Sequence, residues 1–298
     1  MTRSSKRYAG TFLGVDDDLL RARRAEVLDH PRWYPEPEWL RSDAVSAADL
    51  LNDDAVFGGV VGTLDAFGAV EIDLDRPLTA EEFVFFGALL GRPMPETAPD
   101  VRPYVERDVV LNLVAEHGII ADTGLQPFSE TALTLHTESS GKPTRDQPRH
   151  LVFQCLRAPE PDHGAQTLVV SGTRVHDVLD GAQRDVLEHC RYDADPAGPP
   201  ILRELSGRPC FSFRDFADQP LRWVHDATDE VDHERVNSAF RALTAALYDV
   251  DAVRGIHWRP NTVLVLDNTF GFHGRSAGVG GRTPAERRHL MRLRILVS

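Results

Sequence analysis

Short stretches that favour β-strands fill the chain from residue 108 onward, and they constrain its fold more than any other feature. Proline and glycine residues separate most of them, which is typical of a β-barrel or a β-sandwich. This part of the chain is therefore predicted to be mainly β. The predicted strands are 109–114, 132–136, 150–156, 166–170, 201–205, 210–213, 262–266 and 290–297.

The first 60 residues favour helical and irregular structure instead. Asp16 to Asp18 can cap a helix that reaches Val27, and several prolines follow it. The segment 67–74 then alternates well enough to predict a strand.

Two further helices are indicated by local signals. Thr79 and Glu82 form a capping box at the start of an apolar segment, 83–90, which we expect to pack beneath a sheet. A later helix is predicted by one apolar stripe at helical spacing. The stripe consists of Val236, Phe240, Leu243 and Leu247.

The simplest organisation is one domain over residues 1–298. Residues 1–100 would form a helical cover with the first strands, and residues 105–298 the β core, with a helical insert near 229–249. A chain of 298 residues is long enough to bury a substantial core.

The composition narrows the class of partner. The formal charge of −13 argues against nucleic acid or an anionic membrane as partner, because both favour basic patches. The 3 cysteines are widely spaced and form no CxxC pair, so a reducing cytoplasm is expected. Neither a signal peptide nor a membrane span is predicted.

A candidate metal site comes from two separate segments. His136 and Glu138 follow the predicted strand 132–136, and side chains two apart on a strand share one face. His273 follows another apolar strand after the turn-forming pair Asp267-Asn268. Two imidazoles and one carboxylate are the ligands of the facial triad that holds non-haem Fe(II) and leaves coordination positions open.

Arginines line one face of the last predicted strand. Met291, Leu293, Ile295 and Val297 form its apolar face, which places Arg288, Arg292 and Arg294 on the other face. Arginines on that face lie either in water or in a polar cavity.

Several motifs together resemble a known family. They are His136-Thr137-Glu138, Gly164 to Leu168, Asp267-Asn268 with His273-Gly274-Arg275, and the final Arg-x-x-x-Arg. In order and spacing, over about residues 105–298, they resemble the clavaminate synthase-like branch of the taurine dioxygenase superfamily, whose members are Fe(II)/2-oxoglutarate-dependent oxygenases. The resemblance implies an α+β fold, mainly β with flanking helices, built on a distorted double-stranded β-helix (jelly roll).

The resemblance also implies roles for individual residues. His136, Glu138 and His273 would bind iron, and no other residue would be catalytic. Thr167 and Arg288 would hold the carboxylates of 2-oxoglutarate, with Arg287 as the alternative should the register slip by one. Planar guanidinium groups bind carboxylates through two parallel hydrogen bonds. The second arginine of the motif, Arg292, would contact cosubstrate or substrate.

The substrate is less well specified by the motifs. Relatives place substrate-binding groups at the positions of Gln126, Ser129 and Glu130, and a substrate-sensing strand where Arg222, Trp223 and Asp226 lie. The sequence after Glu138 lacks the Asp-Ala-Phe-His-Pro of the amino-acid hydroxylases. The free arginine or asparagine that those enzymes use therefore cannot be assigned directly as the substrate of this chain. Glu138 itself argues against halogenation, since halogenases lack this carboxylate.

The expected activity uses Fe(II), 2-oxoglutarate and O2 to hydroxylate, desaturate or cyclise a small polar metabolite. An amino acid or its derivative from specialised metabolism, such as antibiotic biosynthesis, is favoured, either free or tethered to a carrier protein. Two alternatives use the same three ligands: a non-catalytic metal-binding jelly-roll module and a zinc-dependent hydrolase.

Overall fold

The computed structural model describes most of the chain and contains both helices and strands. The described residues are 6–29, 33–37, 44–114, 125–129, 131–158, 165–194, 197–217, 219–227, 232–278 and 287–297. The helices are α1 (Asp18–Leu28), α2 (Ala47–Asn52), α3 (Asp54–Phe67), α4 (Ala80–Leu90), α5 (Gly172–Val178), α6 (Gly181–His189) and α7 (His233–Leu247). None of the helices in these ranges is long and apolar enough to span a bilayer.

The strands are short, as the sequence predicted. Those of the first half are β1 (Lys6–Phe12), β2 (Ala69–Asp73), β3 (Arg92–Pro93), β4 (Val105–Glu106), β5 (Val110–Val114), β6 (Leu133–His136), β7 (His150–Arg157) and β8 (Thr167–Ser171). Those of the second half are β9 (Cys190–Tyr192), β10 (Leu202–Leu205), β11 (Arg208–Phe211), β12 (Leu221–Ala227), β13 (Arg254–Ile256), β14 (Thr262–Asp267), β15 (Gly271–Arg275) and β16 (His289–Leu296).

The largest sheet has seven antiparallel strands. Its order is β2-β14-β7-β16-β5-β4, with β3 paired to β16. Strand β14 is apolar along its length and buried throughout, because both faces of the sheet are covered. Helices α2, α3 and α4 cover one face, where Phe83 and Phe86 pack with Leu293. The expectation that the helix after Thr79 packs beneath a sheet is confirmed.

A smaller sheet of four strands lies against the other face of the large sheet. Its order is β13-β8-β15-β6. Ile256 and Trp258, at and just beyond β13, pack with Leu151 and Leu264 of the large sheet in one apolar cluster. Helices α1, α5, α6 and α7 pack on the far side of the small sheet, where they bury residues such as Leu135. The predicted mixed α+β class, with antiparallel sheets and flanking helices, is confirmed.

Two smaller units complete the described structure. Strands β1, β12 and β9 form a three-stranded antiparallel sheet, and β10 and β11 form a hairpin. The indole of Trp223 on β12 is fully buried beneath α7.

The predicted helix starts agree closely with the structure, but one predicted strand was too long. The side chain of Asp17 caps α1, and Thr79 and Glu82 form the capping box of α4. The predicted strand 67–74 begins only at Ala69, because α3 continues through Phe67 and ends at Gly68. Gly68 has φ 77°, and a Cβ there would lie 2.0 Å from the ring of Phe270. Only glycine fits this turn.

Other elements had no clear signal in the sequence. Helix α3 contains Gly58, Gly59 and Gly62, which lower helix propensity. Burial of Val60 and Leu64 against the sheet supplies its stability instead. Strand β15 contains glycines that approach neighbouring backbone too closely for any side chain: a Cβ on Gly274 would lie 2.7 Å from the carbonyl oxygen of Leu133.

Candidate metal centre

Three side chains from two strands converge on one point between the sheets. One ligand atom each from His136, Glu138 and His273 lies within 4.8 Å of the other two. The two imidazole rings are 4.3 Å apart between centroids, and Nε2 of His136 is 3.8 Å from Oε2 of Glu138. The structure therefore brings together the three residues that the sequence predicted as metal ligands.

Strand pairing positions the two histidines. His136 and His273 are direct partners in the antiparallel pairing of β6 with β15. Side chains of directly opposed residues lie on the same face of a sheet. His273 is thus part of a strand, rather than of a loop after one, and its backbone is fixed on both sides by β6 and β8.

The protonation of His136 suits a metal ligand. Its Nδ1 lies 2.7 Å from the carbonyl oxygen of Thr134, which can only accept a hydrogen bond. In the tautomer that this contact selects, Nδ1 carries the proton and Nε2 is the nitrogen that faces Glu138.

Burial keeps the imidazole of His273 neutral. Burial lowers its pKa well below the usual value, and nearby His136 lowers the pKa further. A neutral imidazole is the form that binds metals, because a protonated ring has no free lone pair.

Glu138 is held ionised by the surrounding cations. Burial alone would raise the pKa of its carboxyl, but Arg292 and then His136 hold the pKa well below its usual range. Oε1 of Glu138 lies 3.8 Å from Nη1 of Arg292 and 3.7 Å from Nη1 of Arg294. An ionised carboxylate therefore faces two imidazoles, which is the donor set that a divalent cation requires.

The arginines on the predicted polar face of β16 are buried and engaged. Arg292 and Arg294 each donate to Glu96, at 2.9 Å and 2.8 Å. Two guanidinium groups therefore share two carboxylates, Glu96 and Glu138, and the cluster is close to charge balance. Glu96 had no recognisable signal in the sequence, since it lies in the irregular segment after β3.

Two of the residues predicted to hold 2-oxoglutarate come from different sheets: Thr167 begins β8 of the small sheet, and Arg288 directly precedes β16 of the large sheet. Arg288 and Thr167 are both buried. The hydroxyl oxygen of Thr167 accepts a hydrogen bond of 3.0 Å from Nε1 of Trp258, so its own hydrogen can be donated to an anion.

Asn268 anchors the backbone of Glu138 and was not predicted as part of the site. Its Oδ1 accepts from the backbone N–H of Glu138 at 2.7 Å, and its Nδ2 donates to the carbonyl of Glu138 at 3.1 Å and to that of Pro148 at 2.9 Å. The sequence showed it only as half of a turn-forming Asp-Asn pair.

A cavity of about 190 Å³ borders the site on the side of His273. Leu266 and Asn268 line it from the large sheet, and Val169 and Ser171 from the small sheet. The space between the sheets is thus open next to a candidate ligand.

The structure describes two of the three predicted substrate residues that precede β6. Gln126 and Ser129 lie in a short segment beside β15, held by Arg275, whose guanidinium donates to the carbonyls of Gln126, Pro127 and Thr131 at 2.9 to 3.0 Å. The hydroxyl of Ser129 is 2.7 Å from that of Thr131 in a local turn. Glu130 lies outside the described residues.

The predicted substrate residues on β12 lie in a different sheet from the two histidines, and their role in substrate binding remains a prediction. Strand β12 belongs to the three-stranded sheet with β1 and β9. Trp223 is buried among core side chains and donates to Asn237, Asp226 pairs with Arg191 at 2.5 Å, and Arg222 is exposed. Residues alternate between the buried and the exposed face of β12, which explains why Trp223 is buried and Arg222 is exposed.

The sequence matches the family described as "Taurine catabolism dioxygenase TauD, TfdA family" over residues 38–294. This chain belongs to the TauD/TfdA family. The match includes all three candidate ligands and the arginines of β16. A comparison with curated proteins finds no significant match.

Solved structures agree with the TauD/TfdA assignment at the level of fold. An asparagine oxygenase is 18% identical, with a TM-score of 0.62, covering 94% of this chain and 90% of its own. The PvcB protein from Pseudomonas aeruginosa is 22% identical, with a TM-score of 0.58, covering 80% and 79%. The non-haem iron oxygenase OrfP is 18% identical, with a TM-score of 0.62, covering 85% and 84%.

Proposed function

We propose that this protein is an Fe(II)- and 2-oxoglutarate-dependent oxygenase that hydroxylates, desaturates or cyclises a free amino acid or a close derivative. The convergence of His136, Glu138 and His273 within 4.8 Å carries the proposal. Membership of the TauD/TfdA family supports it independently.

The donor set supports iron as the metal. Two imidazoles and one ionised carboxylate form a facial set that leaves positions open for small molecules. We assign no further catalytic residue. Zinc would accept the same donors, so the choice between the metals rests on the family and on the experiment below.

Thr167, Arg288 and Arg292 are proposed to bind 2-oxoglutarate. The hydroxyl of Thr167 can donate to a carboxylate, and the buried Arg288 directly precedes β16, the strand that carries Arg292. Of the two arginines, Arg288 is proposed for the distal carboxylate, because Arg292 already contacts Glu96 and lies near Glu138.

When bound, Fe(II) with 2-oxoglutarate and O2 supplies an oxidant strong enough to break a C–H bond, with release of succinate and CO2. The chain's own residues prepare the site for it. Thr134 fixes the tautomer of His136, Asn268 fixes the backbone of Glu138, and Arg292 keeps that carboxylate ionised.

An amino-acid substrate is supported by the structural neighbours. The asparagine oxygenase was solved with Fe(II), (2S,3S)-3-hydroxyasparagine and succinate, and OrfP was solved with (3S)-hydroxy-L-arginine. The segment after Glu138 differs from that of amino-acid hydroxylases, so this substrate is proposed to differ from free asparagine and arginine. A role in specialised metabolism, such as antibiotic biosynthesis, and a cytoplasmic location remain part of the proposal.

We further propose that the stacked sheets form a distorted jelly roll and that residues 1–298 form one domain. The shared apolar cluster between the two larger sheets supports both ideas. Within the family, we favour the clavaminate synthase-like branch, since the acidic ligand is a glutamate.

The test is anaerobic reconstitution with Fe(II) and 2-oxoglutarate, followed by O2 and a panel of L-amino acids. Succinate formation is measured together with the mass of the amino acid. A gain of one oxygen indicates hydroxylation, and a loss of two hydrogens indicates desaturation or cyclisation. Each amino acid is also presented on a carrier-protein arm, to separate free from tethered substrates.

Variants of the predicted residues sharpen this test. We expect His136→Ala to abolish succinate formation and Arg288→Ala chiefly to raise the KM for 2-oxoglutarate. Arg145→Gln, with a side chain 81% exposed, is the matched control. Metal binding without succinate under all conditions would favour the non-catalytic module, and Zn(II)-dependent hydrolysis would favour the hydrolase.

A further inference from the structure

Arg214 lies beside the two histidines in the plane of the small sheet. His273 pairs with Val169 on one side and with His136 on the other, and His136 in turn pairs with Arg214 through an isolated antiparallel bridge. Directly opposed residues share one face, with Cβ atoms roughly 5 Å apart. The side chain of Arg214 therefore starts next to a candidate ligand and on the same side of the sheet.

The guanidinium of Arg214 contacts an amide and an aromatic ring. Its Nη2 donates to Oε1 of Gln126 at 3.0 Å, and its Cζ lies 5.8 Å from the ring centroid of Phe216. Among the described residues, no carboxylate forms an ion pair with it. Three other arginines near the core do form ion pairs: Arg24 pairs with Asp215, and Arg292 and Arg294 pair with Glu96.

The backbone that carries Arg214 is fixed from behind. Asp215 points to the other side of the sheet, where Arg24 donates to its carboxylate at 2.6 Å and 2.9 Å and Tyr248 at 2.8 Å. The backbone N–H of Arg214 donates to the hydroxyl of Tyr192 at 2.8 Å. Because these contacts hold the backbone at residues 214 and 215, Arg214 can reorient only through its side chain.

Gln126 is also held in place. Arg275, two residues after His273, donates to the carbonyls of Gln126, Pro127 and Thr131. The strand that presents the metal ligand therefore also fixes the segment that carries Gln126. Arg275 acts as a positioning residue, since its guanidinium donates to backbone oxygens of this segment.

The two groups of arginines belong to different sheets. Arg288 and Arg292, proposed above for 2-oxoglutarate, lie at the start of β16 and on it, in the large sheet, whereas Arg214 extends the edge of the small sheet beyond β6. The charges of Arg292 and Arg294 are balanced by Glu96 and Glu138. A half-buried cation without a carboxylate partner attracts an anion, because its charge has lost part of its hydration.

We propose that Arg214, oriented by Gln126, binds a carboxylate group of the substrate next to the metal. The proposal rests on the oxygenase function proposed above and narrows its substrate to molecules that carry a carboxylate. Arg214 is then a specificity-determining residue, separate from the cosubstrate arginines.

The first test uses acetate as the probe and acetamide as its neutral counterpart. Saturation-transfer NMR on the full chain, saturated with 2-oxoglutarate, measures binding of both. We expect acetate to bind and acetamide not to bind. Arg214→Gln should weaken acetate binding roughly 10- to 100-fold, the range expected for a hydrogen-bonded charge pair. Arg214→Lys should retain part of it, and Arg145→Gln should retain all of it.

The position of the bound acetate is tested with Mn(II) in the metal site. Relaxation of the acetate methyl protons by Mn(II) should be strong in the wild type and lost in Arg214→Gln. Equal relaxation in both proteins would mean that acetate binds the metal directly, and it would overturn the proposal. Equal weakening of 2-oxoglutarate binding in Arg214→Gln would also overturn it, by assigning Arg214 to the cosubstrate.

Three related amino acids identify which carboxylate is bound. L-Aspartate carries both carboxylates, L-asparagine only the α-carboxylate, and L-isoasparagine only the side-chain carboxylate. Displacement of acetate by asparagine assigns Arg214 to the α-carboxylate, and displacement by isoasparagine assigns it to the side chain. Binding of the metal and of 2-oxoglutarate is measured in the same samples and is expected not to depend on Arg214. If both bind but acetate does not, this inference fails and the oxygenase proposal stands; if neither binds, the oxygenase proposal itself fails.

Discussion

At the residue scale, the candidate ligands depend on neighbours that never touch the metal. Glu138 lies just beyond the end of β6, where strand pairing no longer holds the backbone. Asn268 replaces that pairing with one hydrogen bond to the N–H and one to the carbonyl of Glu138. The side chain of Asn268 is buried, so water cannot take over these bonds if it is removed.

Replacement of Asn268 by alanine should therefore weaken metal binding. Partners that orient metal ligands typically contribute about 10- to 100-fold in affinity, and we expect a loss in that range. Calorimetric titration with Mn(II) under anaerobic conditions measures it. Asn52→Ala is the matched control, because that amide only bonds within α2 on the surface. An unchanged Mn(II) affinity in Asn268→Ala would show that Glu138 is positioned by other contacts.

At the element scale, local capping signals determine where several helices begin. In α4, Thr79 accepts from the N–H of Glu82, and Glu82 accepts from the N–H of Thr79. Arg76 also donates to both oxygens of Glu82. Helix α4 then buries Phe83 and Phe86 against β16. The residue at which α4 begins therefore determines which of its side chains pack against the large sheet.

Replacement of Glu82 by glutamine should lower the free energy of unfolding by about 0.5 kcal/mol, because glutamine keeps the capping box but loses the ion pair with Arg76. The hydrogen bond from Arg76, followed by that from the backbone of Thr79, lowers the pKa of Glu82 from 4.5 to about 2. A lowered carboxyl pKa stabilises the fold above the unfolded-state pKa. That contribution is lost as the pH falls from about 4.5 towards 2.

Urea unfolding at several pH values between 6 and 3 measures this difference. The wild type should be more stable than Glu82→Gln at the upper end, and the gap should narrow on acidification. Glu81→Gln, in the same turn but exposed, is the control. A gap that stays constant with pH would contradict the assignment to the ionised carboxylate.

A second element-scale prediction concerns the contact of α1 with the small sheet. Arg24 and Asp215 form a buried ion pair with side chains 9% and 4% exposed. Arg24→Ala would leave the carboxylate of Asp215 buried without its cation, which typically destabilises a protein by about 3–5 kcal/mol. Arg21→Ala, whose side chain is 59% exposed, should change stability by less than about 0.5 kcal/mol. Comparable urea midpoints for the two variants would refute this role of Arg24.

At the scale of the whole molecule, the site lies where two sheets with separate cores meet. The metal ligands come from the small sheet and its edge, whereas Arg292 and Arg294 come from the large one. Helices cover the outer face of each sheet and leave the inner faces to each other. A bound metal would therefore link the two sheets through Glu138 and its arginines.

Metal binding should accordingly raise the melting temperature of the whole chain. Mn(II) at about 100 times its Kd stabilises the folded state by about 2.7 kcal/mol, or roughly 5 °C for a protein of this size. His273→Ala should show no such shift, and His176→Ala, outside the site, should keep it. Differential scanning calorimetry with and without Mn(II) distinguishes these results. A shift retained in His273→Ala would locate the metal elsewhere.

The sequence by itself determined those features that depend on neighbouring residues. The caps at Asp17 and Thr79, the stripe of α7, the apolar strands and the shared face of His136 and Glu138 follow from hydrogen bonding and periodicity within a few residues. The family motifs added His273 and the arginines of β16 as candidates. The Fe(II)/2-oxoglutarate roles of these residues remain predictions.

Only the tertiary structure decided which strands pair, and with that the composition of the site. The pairing of β6 with β15, the bridge from His136 to Arg214 and the contact of Glu96 with Arg292 join residues far apart in the chain. The same principle placed β12 with β1 and β9, in a different sheet from that of the histidines. Strand neighbours are chosen by the burial of all apolar faces together, so no local pattern specifies them.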